Sequence, residues 1–380
     1  MITVFDVETS RFPDGNPYRL TSRCISWCAD STFSYHTDPD FRTLLQKVIN
    51  DATLLVGINL KFDIAWASRL GCTPPERMRV WDCQIAEYIL SGQTNSFASM
   101  EQLCELYQIP GKGNVVQSYW DSGIETRDIP RNILEEYNRG DITRTRAIYE
   151  AQQRDSRMTP QLHKLILLDG ADLLVLQKME ENGILYDRPG SIAAGNSAQE
   201  EIEQIKQTLQ GVIDFEHFNL DSGDHLSCLL YGGVINHDRY ETTSLVYKSG
   251  PKKGEAYTAN RFQETIGREY PGLFKPLKRT ELKKKGYYQT GEPILRQLPC
   301  RSKQQRLVIN SLLRLAELSK QVGSFLHALP ELCDTMEWGS TLHPTYNQCV
   351  ARTGRLSCSK PNAQQFPEVV DKFWVSRYAS

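Results

Sequence analysis

Met1-Ile2-Thr3-Val4-Phe5-Asp6-Val7-Glu8-Thr9 opens the chain. Residues 2–7 form an apolar run rich in β-branched and aromatic side chains, which predicts a short buried strand. Side chains alternate faces along a strand, so Asp6 and Glu8 point the same way. Two carboxylates side by side at the end of a buried strand repel each other, and a divalent cation between them removes that cost. The opening lacks the basic flank and longer apolar stretch of a signal peptide, so a cytoplasmic protein is expected.

Outward from this strand, residues 19–27, 31–36 and 53–58 read as further strands, and 41–49, 62–70 and 83–90 as helices, the last with Asp82 as N-cap. Phe12-Pro13-Asp14-Gly15-Asn16-Pro17 is a turn before the second strand. Residues 129–153 read as one long helix with Pro130 near its first turn. This order predicts an α/β mixed sheet covered by helices. Polar residues 151–160 read as a joint. A helix over 161–181 stops at Asn182-Gly183, and further helices are expected over 189–211, 219–231 and 306–329. Asp221-Ser222 marks an N-terminal cap. Residues 232–290, rich in Gly, Pro, Lys and Tyr, read as loops with short strands, and 341–380 as turns.

The 380 residues are 40% hydrophobic and 24% charged, which fits a soluble globular chain of two or three domains. No apolar run approaches the length that spans a bilayer, so no membrane partner is expected. None of the ten cysteines sits in a Cys-x-x-Cys pair, and buried free thiols are expected, with Cys24 and Cys28 packing in a strand. The net charge of −2 hides an asymmetry: residues 237–307 hold sixteen Lys or Arg against seven Asp or Glu. The rest of the chain is acidic, a division that points to an anionic partner for one part only.

Two further acidic motifs follow the first. Asn59-Leu60-Lys61-Phe62-Asp63 comes just after the strand over 53–58, where an acid also suits the start of a helix. Tyr137-Asn138-Arg139-Gly140-Asp141 lies within the long helix, and residues four apart share a helical face, so the phenol and the carboxylate can address one site. Gly140 inside a helix costs about 1 kcal/mol relative to Ala, which a close approach by a neighbour or a substrate explains. Each motif singly is more often structural than catalytic. In this order they resemble the three motifs of the DEDD exonuclease superfamily, in its branch with a tyrosine in the third motif. The resemblance covers roughly residues 1–150, and the domain it implies is expected over 1–155. It implies a ribonuclease-H-like exonuclease domain in which Asp6, Glu8, Asp63 and Asp141 hold two Mg²⁺ or Mn²⁺ ions, hard cations that take oxygen ligands. It implies that Tyr137 orients the attacking water, since a phenol with an ordinary pKa near 10 is a poor base at neutral pH. It also puts Asn59 and Phe62 at the terminal nucleotide, although Phe62 suits core packing equally well.

The second half resembles the start of the polymerase module of family A DNA polymerases. Leu176-Gln177-Lys178-Met179-Glu180-Glu181-Asn182-Gly183-Ile184-Leu185-Tyr186-Asp187 looks like the helix end that opens that module. Phe218-Asn219-Leu220-Asp221-Ser222-Gly223-Asp224-His225-Leu226 is similar to a thumb segment. The most specific stretch runs from His343 through Arg352-Thr353-Gly354-Arg355-Leu356-Ser357 to Pro361-Asn362-Ala363-Gln364-Gln365-Phe366-Pro367. The resemblance implies a mostly helical thumb-like region over 156–340 and an incomplete palm over 341–380. It also assigns Arg355, Asn362 and Gln364 to minor-groove and backbone contacts with primer-template DNA, a grip independent of base sequence.

No palm aspartates or fingers helix appear before Ser380, so polymerisation by these residues alone is not expected. A second polypeptide supplying palm and fingers, an interrupted coding sequence, or a fragment of a longer chain each account for that. The resemblance starts at the first residues, so no 5′-nuclease domain is expected, as in phage polymerases of the family. Residues 231–290 look like a basic insertion: Lys252, Lys253, Lys278, Arg279, Lys283, Lys284 and Lys285 alternate with tyrosines and phenylalanines. It is expected to grip duplex backbone or to dock a processivity factor. Two rivals follow from the same residues. One is a ribonuclease D-like exonuclease acting on RNA; the other is a non-catalytic DNA-binding subunit.

Overall fold

The computed structural model describes residues 1–11, 16–111, 113, 115–252 and 255–376. The expected turn at Phe12-Pro13-Asp14-Gly15, Lys253 of the basic stretch, and Ser380 lie outside the described residues. In chain order the first elements are β1 (Ile2–Thr9), β2 (Cys24–Ala29), β3 (Thr32–Tyr35), α1 (Phe41–Asp51), β4 (Leu54–Gly57), α2 (Leu60–Arg69), β5 (Arg79–Asp82) and α3 (Cys83–Leu90). Then come α4 (Met100–Leu106), α5 (Val115–Asp121), α6 (Arg131–Gln153), α7 (Pro160–Asn182), β6 (Ile184–Leu185), α8 (Arg188–Ile213) and α9 (Gly223–Tyr231). They are followed by β7 (Gly233–Val246), β8 (Ala256–Tyr270), α10 (Glu292–Leu295), α11 (Lys303–Gln321), α12 (Ala328–Thr335), β9 (Thr341–Leu342), β10 (Thr345–Asn347), β11 (Ser357–Ser359) and α13 (Glu368–Asp371). Among the described residues no helix is long and apolar enough to cross a membrane.

The chain divides into two compact units, one of residues 1–191 with 328–380 and one of residues 192–327. In the first, five strands form one mixed sheet in the order β3-β2-β1-β4-β5. β1 runs antiparallel to β2 and parallel to β4, with Val4 opposite Val56, so the opening strand is central. β2 is buried along its whole length, and Cys24 and Cys28 pack there as free thiols. Asp82 caps α3 by accepting from the N–H groups of Gln84 and Ile85, as its position predicts. α6 packs on the sheet through Leu134, Ile142, Thr145 and Ile148.

The division cuts the chain differently from the expected boundary near residue 155. α7 belongs with the sheet: Ile166 and Leu173 join the core that contains Phe5, Leu55, Trp66 and Trp81. The contact is close because of Gly170. A Cβ at that position would stand 2.3 Å from the Val80 carbonyl oxygen of β5, an atom of the backbone that cannot swing away. Gly170→Ala is therefore expected to destabilise the protein by about 2 kcal/mol, since overpacking costs more than the roughly 1 kcal/mol gained in helix propensity. Urea denaturation with unchanged slope and a lower midpoint would show it; an unchanged midpoint would mean that α7 sits less tightly on β5. The segment 328–380 also joins this unit, pairing β9 with β6 and folding β10 onto β11.

The second unit holds most of α8, with α9, α10 and α11 and one long antiparallel hairpin, β7 with β8. Ser222 caps α9 as expected, accepting from the N–H of His225. The hairpin corrects the reading of 232–290 as loops with short strands. Its strands are 14 and 15 residues long and mostly exposed on both faces, so they lack the apolar–polar alternation that marks a half-buried strand. Backbone pairing and cross-strand rings hold it instead, among them Tyr240 against Phe262 at 5.9 Å and Tyr247 against Tyr257 at 4.4 Å. The helix expected over 306–329 is also interrupted: α11 ends at Gln321, and a wider turn covers Val322–Leu326.

Candidate metal centre

Three elements of the first unit converge on one spot. β1 delivers Asp6 and Glu8, both half-buried, on one face of its C-terminal end. α2 starts directly after β4 because Asn59 adopts a left-handed conformation, φ 56°, and turns the chain. That turn buries Asp63 in the first turn of α2, where its Oδ1 accepts from the Val7 N–H at 3.1 Å, between the two acids of β1. α6 brings Asp141, which is 5% exposed. Carboxylate oxygens of Asp6, Glu8 and Asp141 lie within 4.8 Å of one another. Asp63 is outside that group but adjoins it through Val7.

Burial, and next the charge of Asp6, push the Asp63 carboxyl well above the usual carboxylate range, while the Val7 N–H pulls the other way. Tyr137 is pushed up as well, by burial and then by the charges of Glu8, Asp141 and Asp6. Its phenol therefore stays protonated and can donate but not abstract. The ring stands edge-on to Trp120 at 5.9 Å and lines a cavity of about 310 Å³ with Val116, Ile133, Gly140 and Arg144. The Cys24 thiol on β2 is likewise raised by burial and by Asp63, so it remains a protonated core group.

Two residues of this site were not singled out from the sequence. Asn138 is fully buried beside the acids. Its Nδ2 donates to Asp6 Oδ2 at 2.9 Å and to Glu8 Oε1 at 3.3 Å, and its Oδ1 accepts from Ser26 Oγ at 2.7 Å. Arg144 donates to Asp141 Oδ1 at 2.7 Å, with both side chains largely buried. The same guanidinium covers Gly140: a Cβ there would meet its nitrogens at 3.0 and 3.4 Å. The neighbour expected to explain Gly140 is thus an arginine of the same helix. The signal was present, since positions 137, 141 and 144 share a helix face.

The donor set is all oxygen, concentrated and negatively charged, which suits hard divalent cations such as Mg²⁺ or Mn²⁺. Asp6, Glu8 and Asp141 are placed to share such an ion, with Asp63 adjoining them through Val7. When bound, such ions supply a water activated at neutral pH and charge stabilisation for a departing oxygen.

The remaining predicted residues fall elsewhere in this unit. Asn59 and Phe62 line a cleft of about 360 Å³ with Tyr18, Lys61, Glu180 and Lys360. Phe62 also packs against the sheet core, the second of its two expected roles. Lys61 Nζ donates to Glu180 Oε1 at 2.6 Å and to the Tyr346 carbonyl, tying the second motif to α7 and β10. Arg355 is exposed in the turn between β10 and β11. Gln364 donates weakly to the Leu356 carbonyl at 3.4 Å, and Asn362 has a buried Oδ1 without a partner among the described residues.

Comparison with known proteins bears on the second half above all. The family model described as DNA polymerase family A matches residues 270–375. DNA polymerase I of Synechocystis sp. is 24% identical over 295 residues, covering 76% of this chain and 24% of that protein. DNA polymerase I of Chloroflexus aurantiacus is 27% identical over 262 residues, covering 68% of this chain and 22% of that one. This chain thus spans about a quarter of the length of the curated relatives it matches. Among solved structures, the POL domain of Pol1 from M. smegmatis, in complex with DNA primer-template and dNTP, has the same fold with a TM-score of 0.58 at 16% identity. That match covers 96% of this chain and 52% of the other. By these matches the chain is similar to family A DNA polymerases, through the family model over residues 270–375 and through two relatives at 24% and 27% identity, and it shares the fold of a polymerase domain.

Proposed function

We propose that this chain is the 3′→5′ exonuclease and DNA-holding part of a family A DNA polymerase, removing 3′-terminal nucleotides as proofreading during replication. The observation that carries the reading is the meeting of Asp6, Glu8 and Asp141, with Asp63 locked on Val7 between the first two. A cluster of like charge that is half-buried at Asp6 and Glu8 and buried at Asp141 is costly, and a divalent cation offsets that cost. The sheet order β3-β2-β1-β4-β5, with Asp6 and Glu8 on its central strand, supports a ribonuclease-H-like exonuclease domain.

In this reading two Mg²⁺ or Mn²⁺ ions bind the four carboxylates, and Tyr137 donates to the attacking water. Asn59 and Phe62 receive the last nucleotide in their cleft. Arg355, exposed and outside any ion pair among the described residues, grips the duplex together with Asn362 and Gln364. The thumb-like region and the first part of the palm make up residues 156–380. The basic stretch after β8, with Lys278, Arg279, Lys283 and Lys285 exposed, holds duplex backbone or a processivity factor.

The test is incubation of the purified chain with 5′-labelled primer-template and Mg²⁺, with and without nucleotides. Shortening without extension is expected, faster on single-stranded or mismatched ends than on paired ones, because only a frayed terminus reaches such a site. Chelation should stop it. Shortening of RNA but not DNA would favour the ribonuclease rival; no metal-dependent shortening would leave a binding subunit.

A further inference from the structure

Arg144 has no assigned part in the chemistry, yet it occupies a carboxylate of the cluster. Its guanidinium pairs with Asp141 at 2.7 Å and lies flat over Gly140. Its Nε is buried and has no hydrogen-bond partner among the described residues. The ion pair with Asp141 thus holds the guanidinium while one buried N–H goes unmatched. Space is available on both sides. One cavity, of about 310 Å³, adjoins Tyr137; another, of about 270 Å³, is lined by Glu101 and Glu105 of α4 together with Arg144 itself.

We propose that Arg144 is a displaceable counter-ion for the metal site. Without metal it neutralises Asp141, which would otherwise be a buried carboxylate facing Asp6 and Glu8. A divalent cation on Asp141 repels the guanidinium at short range, and Arg144 then leaves Asp141 for the acidic cavity beside α4. Gly140 suits the seated state, since a Cβ there would stand 3.0 Å from the guanidinium. The arginine thereby keeps the metal-free site folded while setting how tightly the cation binds. This inference rests on the exonuclease reading of the four acids.

The test is Mn²⁺ binding by calorimetry, together with melting with and without Mn²⁺, on the full chain. Arg144→Gln is expected to bind Mn²⁺ on the order of tenfold more tightly, because a competing cation has been removed. Its metal-free melting temperature should fall, and the rise on adding Mn²⁺ should exceed that of the unaltered protein. Arg144→Lys keeps the charge and should bind close to the unaltered affinity. Should Arg144→Gln fail to fold, Arg144→Met serves in its place: it keeps the length of the side chain without the charge and is expected to tighten binding. Unchanged or weaker Mn²⁺ binding in Arg144→Gln, or in Arg144→Met where that variant stands in, would overturn the proposal and leave Arg144 as a side chain that orients Asp141. Absence of Mn²⁺ binding in the unaltered protein, matching Asp6→Ala, would instead remove the exonuclease reading itself.

Discussion

Asp6→Ala is expected to slow release of 3′-terminal nucleotides by on the order of 10³-fold or more, with the protein still folded. The reason is geometric. Asp6 is one of three carboxylates whose oxygens fall within 4.8 Å of one another, so its loss removes a cation ligand shared by the whole cluster. Stability should hold or rise in the metal-free protein, because a like charge close to Asp63 is gone. Release of labelled nucleotide, read beside a melting curve, separates lost chemistry from lost structure. A folded Asp6→Ala protein that still trims 3′ ends at the original rate would place the nuclease elsewhere.

Asn138→Leu is expected to lower activity and metal affinity by about 10- to 100-fold, the usual cost of removing a group that orients metal ligands. Asn138 holds Asp6 and Glu8 together through one amide, and Ser26 anchors its other end. Leucine has similar bulk, so the core stays filled, but both carboxylates lose a donor and the Ser26 hydroxyl loses its acceptor. Raising the Mg²⁺ concentration should recover much of the lost rate, as a purely structural defect would not. A Mg²⁺ dependence identical to that of the unaltered protein would show that Asn138 only fills space.

Legibility differed with the kind of interaction. Asp82 and Ser222 were readable as caps because a cap depends on residues two or three apart. The period-2 rule put Asp6 and Glu8 on one face, and the period of the helix put Tyr137 and Asp141 on another. The β7–β8 hairpin was not readable, because its strands hide neither face and so carry no alternation. The place of α7 was hidden too: its contact with β5 turns on Gly170, a residue that looks inert until Val80 is seen against it.

The sequence by itself determined the opening strand, the long helix α6 and the shared faces of Asp6 with Glu8 and of Tyr137 with Asp141, since these follow from local spacing, whereas the grouping of the four acids came from the resemblance of their motifs. Only the tertiary structure decided that Asp63 docks on the Val7 N–H, that Asn138 bridges Asp6 and Glu8, and that Arg144 holds Asp141 over Gly140. The physical reason is that such partners are fixed by where β1, α2 and α6 cross in space. No periodicity along the chain records a hydrogen bond between residues 56 or 132 positions apart.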